Sequence, residues 1–443
     1  MTINKHVIKS TLVGALGGLL FGFDTAVIAG TTSSLTRVYS LSPKELGITV
    51  SIALIGTVIG SLVTGGIGQK YGGRNVLRFM AALYIFSALG CAFAWSWPVL
   101  LLARFLGGLG IGGSSVLGPV YIAELAPAKL RGRLVGTFQI NIVVGILLAY
   151  LSNFLITLLH LGATEWRWEF GVAAVPAILF FFLLFGVPES ARWLATKQRT
   201  SESLDVLRLM GSANAEEELA VISESIQAEH ATKSQPVFRM IYMRPIMLAI
   251  LIGLFNQLSG INAILYYLND IFAYAGFSKV SGNIQAVAVG AMNLAATLVG
   301  MAMIDRVGRK KLLLFGAVGM AFCLAGVAAI FTTHTHLSLL VWLLMAYIAF
   351  FATSQGAVIW VYIGEIFPNS VRSKGQGIGC SAHWIMNAIL SFGFPVIVQR
   401  FSHATPFVLF ASMMAVQFVV VFILFPETKG ISLEDLQKKL GMA

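Results

Sequence analysis

Charge is what this sequence has least of. Of its 443 residues only 11% are Asp, Glu, Lys or Arg, against 57% that are hydrophobic, whereas a water-soluble domain carries about a quarter charged and about half apolar. Water cannot be the main solvent of such a chain. Cysteine is almost missing as well. Cys91, Cys323 and Cys380 all fall in apolar stretches, with no metal-ligand spacing and no partner in a polar loop, which excludes a disulfide framework and a zinc site and leaves ordinary buried thiols. No Asn-x-Ser/Thr acceptor occurs, which favours a prokaryotic source. No strand, loop and helix pattern of a phosphate cradle is present, so ATP hydrolysis is not expected. No Ser/His/Asp, paired-carboxylate or metal constellation sits at one depth of the chain, so the reading is not an enzyme, with no cofactor and no metal.

What fills the chain is long apolar runs. Twelve of them, at 9–31, 46–68, 76–96, 98–122, 134–157, 168–187, 245–269, 283–304, 311–331, 338–363, 374–397 and 404–425, are each long enough to cross the ~30 Å hydrocarbon layer as a helix. Only a helix satisfies its own backbone over such a run, and the short alternation of a barrel is absent. The expected fold is therefore an all-α membrane protein of twelve transmembrane helices. The first run contains Asp24 and is followed by no small-residue cleavage site, so it reads as a helix rather than a signal peptide. The net charge of +11 comes from 30 Lys and Arg that are sorted by loop rather than gathered into a stripe, which argues against a nucleic-acid partner. Most lie on the loops that share a side with both termini, and positive charge stays on the cytoplasmic side. The expectation is a multi-pass protein of the cell (inner) membrane with both termini in the cytoplasm.

One long polar stretch, 188–244, separates six runs from six. Its segments SESLDVLRLM and EEELAVISESIQAE carry helical apolar spacing, which predicts a small helical insert. The expected division is an N-terminal six-helix bundle at 1–187, a helical linker at 188–244, a C-terminal bundle at 245–425 and a tail at 426–443. The two bundles share punctuation. YIAELAPAKLRG at 121–132 corresponds to YIGEIFPNSVRSKG at 362–375, GQKYGGRN at 68–75 to IDRVGRKK at 304–311, and VPESARWL at 187–194 to FPETKG at 425–430. Such internal duplication builds a central site that two halves can open alternately. Glu124, Arg131, Arg74 and Glu189 in one half, and Glu365, Arg372, Asp305, Arg306, Arg309 and Glu427 in the other, can form ion pairs that latch one state and break when that side opens. The plainer alternative is that they anchor topology.

Asp24 is the sharpest single residue. An ionisable group inside a span costs roughly 2.5–3.5 kcal/mol on insertion scales, so it marks a functional position with a partner nearby. Arg104 on the fourth run falls at the same depth and can pair with it. With the guanidinium close the carboxylate is favoured; when the helices separate or the site loses water, the protonated form is. A static structural salt bridge is the bland reading of the same two residues.

Taken together, GLLFGFDTAVIAG at 18–30, YIAELAPAKLRG, VPESARWL, QLSGINAILYY at 257–267, DRVGRKK, WVYIGEIFP at 360–368 and PETKG resemble the sugar porter family of the major facilitator superfamily. That family includes a bacterial xylose–proton symporter and the animal glucose facilitators. The resemblance implies two pseudo-symmetric six-helix bundles and proton-coupled import of a monosaccharide, with the Asp24 and Arg104 positions as coupling pair. An uncoupled facilitator, or a porter-derived receptor, is the alternative. It also implies sugar contacts, and the chemistry agrees: a sugar needs amides that donate and accept, and rings to stack on. The matching positions are Gln139, Gln257, Asn262, Asn293, Trp360, Trp384 and Asn387, with Phe21, Tyr266 and Tyr267 lining or gating the cavity. The chain departs from the family at Asn256, usually Gln, and at His383, usually Gln or Asn, which points to a shifted substrate preference. Gln69 and Gly73 stand where the family has an acid and an Arg, which weakens the first half's latch. Sugar, proton and lipid bilayer are the expected partners, and a monomer is the expected functional form.

Overall fold

The structure, a computed structural model, describes residues 4–127, 130–212, 214–231, 237–368, 371–431 and 433–442. Every regular element among them is helical. Twelve helical segments are long and apolar enough to cross a membrane: Lys5–Tyr39, Pro43–Tyr71, Gly73–Ala92, Trp97–Leu125, Arg131–Thr157, Gly162–Gly186, Met240–Tyr266, Lys279–Val307, Arg309–Thr333, Leu339–Ile366, Lys374–Arg400 and Thr405–Leu424. They are numbered spans 1 to 12 below. Most run past the apolar stretch that announced them, because the backbone hydrogen bonds of a helix do not stop where the hydrocarbon does. An even number of spans returns both termini to one face. The linker after span 6 holds three helices, Ala191–Thr196, Thr200–Leu209 and Ala215–Ala231, the first capped by Ser190, whose hydroxyl accepts from the Trp193 amide at 3.3 Å.

Three expected continuous helices are broken, the first of them span 6, which stops at Gly171 and restarts at Ala174. Span 7 stops at Leu258, restarts at Ile261 and is interrupted again at Tyr267. Gly260 makes the first break. Its φ is +86°, and a Cβ there would stand 2.2 Å from the ring of Phe410, so only glycine fits on both counts. Carbonyls freed at a break inside a membrane need donors, and two tyrosines supply them: Tyr347 donates to the Ser259 carbonyl and Tyr150 to that of Leu265, each at 2.9 Å. Span 10 breaks at Ser354 between Leu339–Thr353 and Gln355–Ile366, where Gln355 donates to Gln417 at 2.6 Å.

The chain forms two compact units. The first comprises residues 1–25, 55–149 and 166–233; the second 26–54, 150–165 and 234–443. In the first, a core of Leu77, Tyr84, Leu117, Tyr121 and Phe180 extends to Leu194, Val206, Leu207 and Leu219 of the linker helices, which are thereby docked rather than loose. Spans 1 and 5 approach closely there: a Cβ on Gly145 would lie 2.1 Å from the Leu19 carbonyl oxygen, the use to which membrane helices put small residues. In the second unit, a core of Leu248, Ile252, Leu312, Tyr362, Phe367 and Phe425 joins spans 7, 9, 10 and 12. This unit also takes in the ends of spans 1, 2 and 5 on the face opposite the termini.

Candidate functional site

Asp24 of span 1 borders a small cavity of about 10 Å³, lined also by Tyr84, Ser87 and Cys91 of span 3 and Phe170 and Ala173 of span 6. That is room for about one water. Arg104, buried on span 4, lies within electrostatic reach of Asp24, and its guanidinium carbon sits 5.4 Å from the centre of the Phe170 ring. Phe170 is thus common to the cavity and to the cation. Gly107, one turn beyond Arg104, allows the approach: a Cβ there would meet the Ser87 hydroxyl at 2.4 Å and stand 3.8 Å from Asp24 Oδ1. A carboxylate and a guanidinium in a low-dielectric setting have two charge states whose balance follows the distance between them. Phe21 packs against the same unit's core, and Gln139 is half-buried on span 5.

The second unit gathers most of the expected sugar contacts around Gln257. Its amide nitrogen donates to Asn256 at 3.1 Å and lies 3.1 and 3.3 Å from the two ring nitrogens of His383, while its carbonyl accepts from Asn262 at 3.1 Å. His383 is wedged between indoles, with ring centres 5.1 Å from Trp360 and 4.9 Å from Trp384. Asn387 donates to the Tyr266 hydroxyl at 3.2 Å and accepts from Ser391 at 3.0 Å. Tyr267 is turned inward, its hydroxyl on the Ser391 carbonyl and its ring stacked on Phe394. Asn293 is buried on span 8. The helix breaks on either side of Ile261–Tyr266 put Asn262 and Tyr266 on a short segment of their own, next to the end of the helix that carries Asn256 and Gln257.

The charged residues at the termini face fall into one cluster per unit. In the second unit Arg309 grips Glu365 with two nitrogens at 3.2 and 2.7 Å and reaches Asp305 at 3.1 Å, and Thr428 donates to Glu365 at 2.6 Å. Glu427 accepts the backbone N–H groups of Arg309, Lys310, Thr428 and Lys429 at 2.9 to 3.1 Å. Those donors outweigh its partial burial, which by itself would push the other way, and hold its carboxyl below the usual carboxylate range. Arg306 offers its carbonyl to Lys429, and Arg372 donates to that of Phe367 at 3.4 Å. In the first unit Glu189 accepts the Arg74 amide at 3.1 Å, the counterpart of Glu427 on Arg309, and the Arg74 side chain donates to the Val187 carbonyl. Glu124 neighbours Ser190 and Arg192, and Arg131 closes back on the Ala123 carbonyl at 3.0 Å.

This geometry can be set beside known proteins. The model of the family described as "Sugar (and other) transporter" matches residues 10–440. The chain belongs to the sugar transporter family. Its relatives in that family include the arabinose-proton symporter of Bacillus subtilis, 36% identical over 98% of this chain and 94% of that protein, and the D-xylose-proton symporter of Escherichia coli, 34% identical over 98% and 96%. Among solved structures, the inward-open xylose transporter XylE of E. coli is 33% identical with a TM-score of 0.88, covering 98% of this chain and 99% of the other, and its partially occluded form scores 0.86 at 32% identity, covering 97% and 100%. The fold is the major facilitator fold expected of sugar transporters. One residue the sequence reading passed over is Glu169. It is fully buried on span 6 beside Phe170, the ring shared by Asp24's cavity and Arg104. Its signal was present as an acid within an apolar run, but its position next to the start of that run disguised it as a boundary charge. Tyr150 was missed for another reason: its partner is a backbone carbonyl, and nothing in the sequence shows where a helix will release one.

Proposed function

We propose that this chain imports a monosaccharide together with protons by alternating access, with Asp24 as the proton carrier and Arg104 as the cation that sets its charge state. The observation that carries the reading is Asp24 at a cavity shared with Phe170, within reach of the buried Arg104. Glu169, the buried acid that precedes Phe170 in the chain, is a further candidate for proton handling. Gln257, Asn256, Asn262, His383 and Asn387 offer donors and acceptors to sugar hydroxyls, and Trp360 and Trp384 offer faces to its C–H groups; Asn293, Tyr266 and Tyr267 are the second unit's further candidates, and Phe21 and Gln139 those of the first. Relatives named as arabinose- and xylose-proton symporters support a pentose or hexose as cargo. The distribution of Lys and Arg supports cytoplasmic termini. Each charged cluster at the termini face clamps the span ends of its own repeat into one moving body, and a single copy, carrying both repeats, suffices for transport.

The test is uptake into proteoliposomes with an imposed pH gradient, run against a panel of radiolabelled pentoses and hexoses. One pH unit is worth about 1.4 kcal/mol per proton, so a one-to-one symporter accumulates its sugar about tenfold. Asp24→Asn is expected to lose that accumulation and to keep sugar counterflow. Counterflow with no response to the gradient in the wild type would make the protein a facilitator, and uphill uptake surviving in Asp24→Asn would remove the carrier role.

A further inference from the structure

The face opposite the termini carries a buried polar chain that links spans 5 and 6 to spans 7 and 8. Glu165, 7% exposed at the start of span 6, pairs with Lys279 at the start of span 8 at 2.9 Å. It also accepts the hydroxyl of Thr157, the last residue of span 5. Asn283, 1% exposed, donates to Thr157 at 2.8 Å and accepts from Asn269 of Leu268–Tyr274, the short helix that continues span 7 past its second break. Below it, Tyr150 of span 5 holds the Leu265 carbonyl at the second break of span 7, and Asn153 donates to the Val27 carbonyl of span 1 at 3.1 Å. All of these residues belong to the second compact unit, including those that precede the linker in sequence. Spans 5 and 6 come from the first repeat and spans 7 and 8 from the second, so these bonds tie the two repeats together on this face. They close on the segment that carries Asn262, Tyr266 and Tyr267.

We infer that Glu165, Lys279, Thr157, Asn283 and Asn269 are positioning residues of the transport cycle: made, they clamp the last part of span 7 over the site and shut it from the face opposite the termini; broken, they let it open there. None touches the proposed sugar contacts except through the backbone of span 7. An ion pair whose acid is buried suits this task, because removing the lysine leaves an uncompensated carboxylate that disfavours the closed arrangement, while water solvates both partners once the face opens. The inference rests on the proposed location of the sugar site for its consequence, but not for its geometry.

Hydrogen–deuterium exchange on the full-length protein in nanodiscs tests it. Lys279→Met, a substitution at a side chain one-third exposed, and Asn283→Ala are each expected to raise exchange in peptides spanning 262–275 by about tenfold, the population shift that losing one charge-assisted or fully buried hydrogen bond brings about. They are expected to lower exchange at 304–312 on the termini face, because opening one side closes the other. The exchanged pair Glu165→Lys with Lys279→Glu is expected to return both values most of the way. A rise on both faces at once would mean that the residues only stabilise the fold, and unchanged exchange in both variants would mean that no clamp exists; either result overturns the inference. Sugar binding that is indifferent to Gln257→Ala would instead remove the site reading and leave the clamp standing, so the two failures can be told apart.

Discussion

A carboxamide inside a membrane must find partners, and Gln257 finds three: Asn256, Asn262 and His383. It is therefore the brace of the proposed sugar site, holding two other proposed contacts. Gln257→Ala is expected to lose one direct hydrogen bond and to loosen its neighbours, about 1–3 kcal/mol in all. Read as kinetics, that is a rise of about tenfold to a hundredfold in KM, with a smaller change in maximal rate, measured as concentration-dependent uptake. The candidates for this site were legible beforehand because intramembrane amides and indoles are conspicuous against an apolar background, and the structure brings several of them together. What was not legible was the hierarchy among them. His383 faces Gln257 and two indoles, not open space, and this follows from packing that no one-dimensional pattern encodes. Asn256, one methylene shorter than the family's glutamine, serves as an acceptor for its neighbour rather than as an extended arm, and its shorter side chain suits that contact.

At the scale of an element, hydropathy located all twelve spans and missed the breaks in three, spans 6, 7 and 10. The reason is physical. A break replaces a few backbone hydrogen bonds by tyrosine and amide donors but leaves the run apolar, and glycine is ordinary in membrane helices, so the Ser259–Gly260 pair looked like any other small-residue step. Only its conformation distinguishes it. Gly260→Ala is expected to cost about 1 kcal/mol for a left-handed backbone that alanine resists and about 1–3 kcal/mol more for overlap with Phe410. Thermal melting in detergent measures the sum. The double variant with Phe410→Ala relieves the overlap but also empties core volume, so only the backbone part is expected to persist whatever side chain stands at 410, and a variant with glycine at 260 and alanine at 410 supplies the reference.

At the scale of the whole molecule, duplication predicts that matching residues do matching work, and the two caps at the termini face show it in detail. Gly72 and Gly308 have φ of +92° and +103° and each precedes the third helix of its repeat; a Cβ on either would strike a carboxylate, that of Glu189 at 2.4 Å and that of Glu427 at 2.6 Å. Each glutamate returns from the end of its repeat's sixth span to accept the first amides of the third, where the helix dipole favours an anion. The caps differ in their donors: Glu189 accepts the amides of Arg74 and Ser190, whereas Glu427 collects four backbone donors, which hold its carboxyl below the usual carboxylate range. A group whose folded-state pKa is depressed stabilises fully above its unfolded value and loses that contribution as pH falls through the folded value. Wild-type protein is therefore expected to lose about 1 kcal/mol of cap stabilisation on acidification below about pH 4.5, discounted for the partial exposure of Glu427, while Glu427→Gln has already lost most of it at neutral pH and changes less there. Because Glu189 and Glu427 serve separate compact units, the stability losses of Glu189→Gln and Glu427→Gln are expected to add within about 0.5 kcal/mol. A double variant that loses clearly more or less than the sum, in melting experiments at neutral pH, would show that the two clusters engage each other, and each would then have to be treated as half of one latch rather than as the clamp of its own repeat.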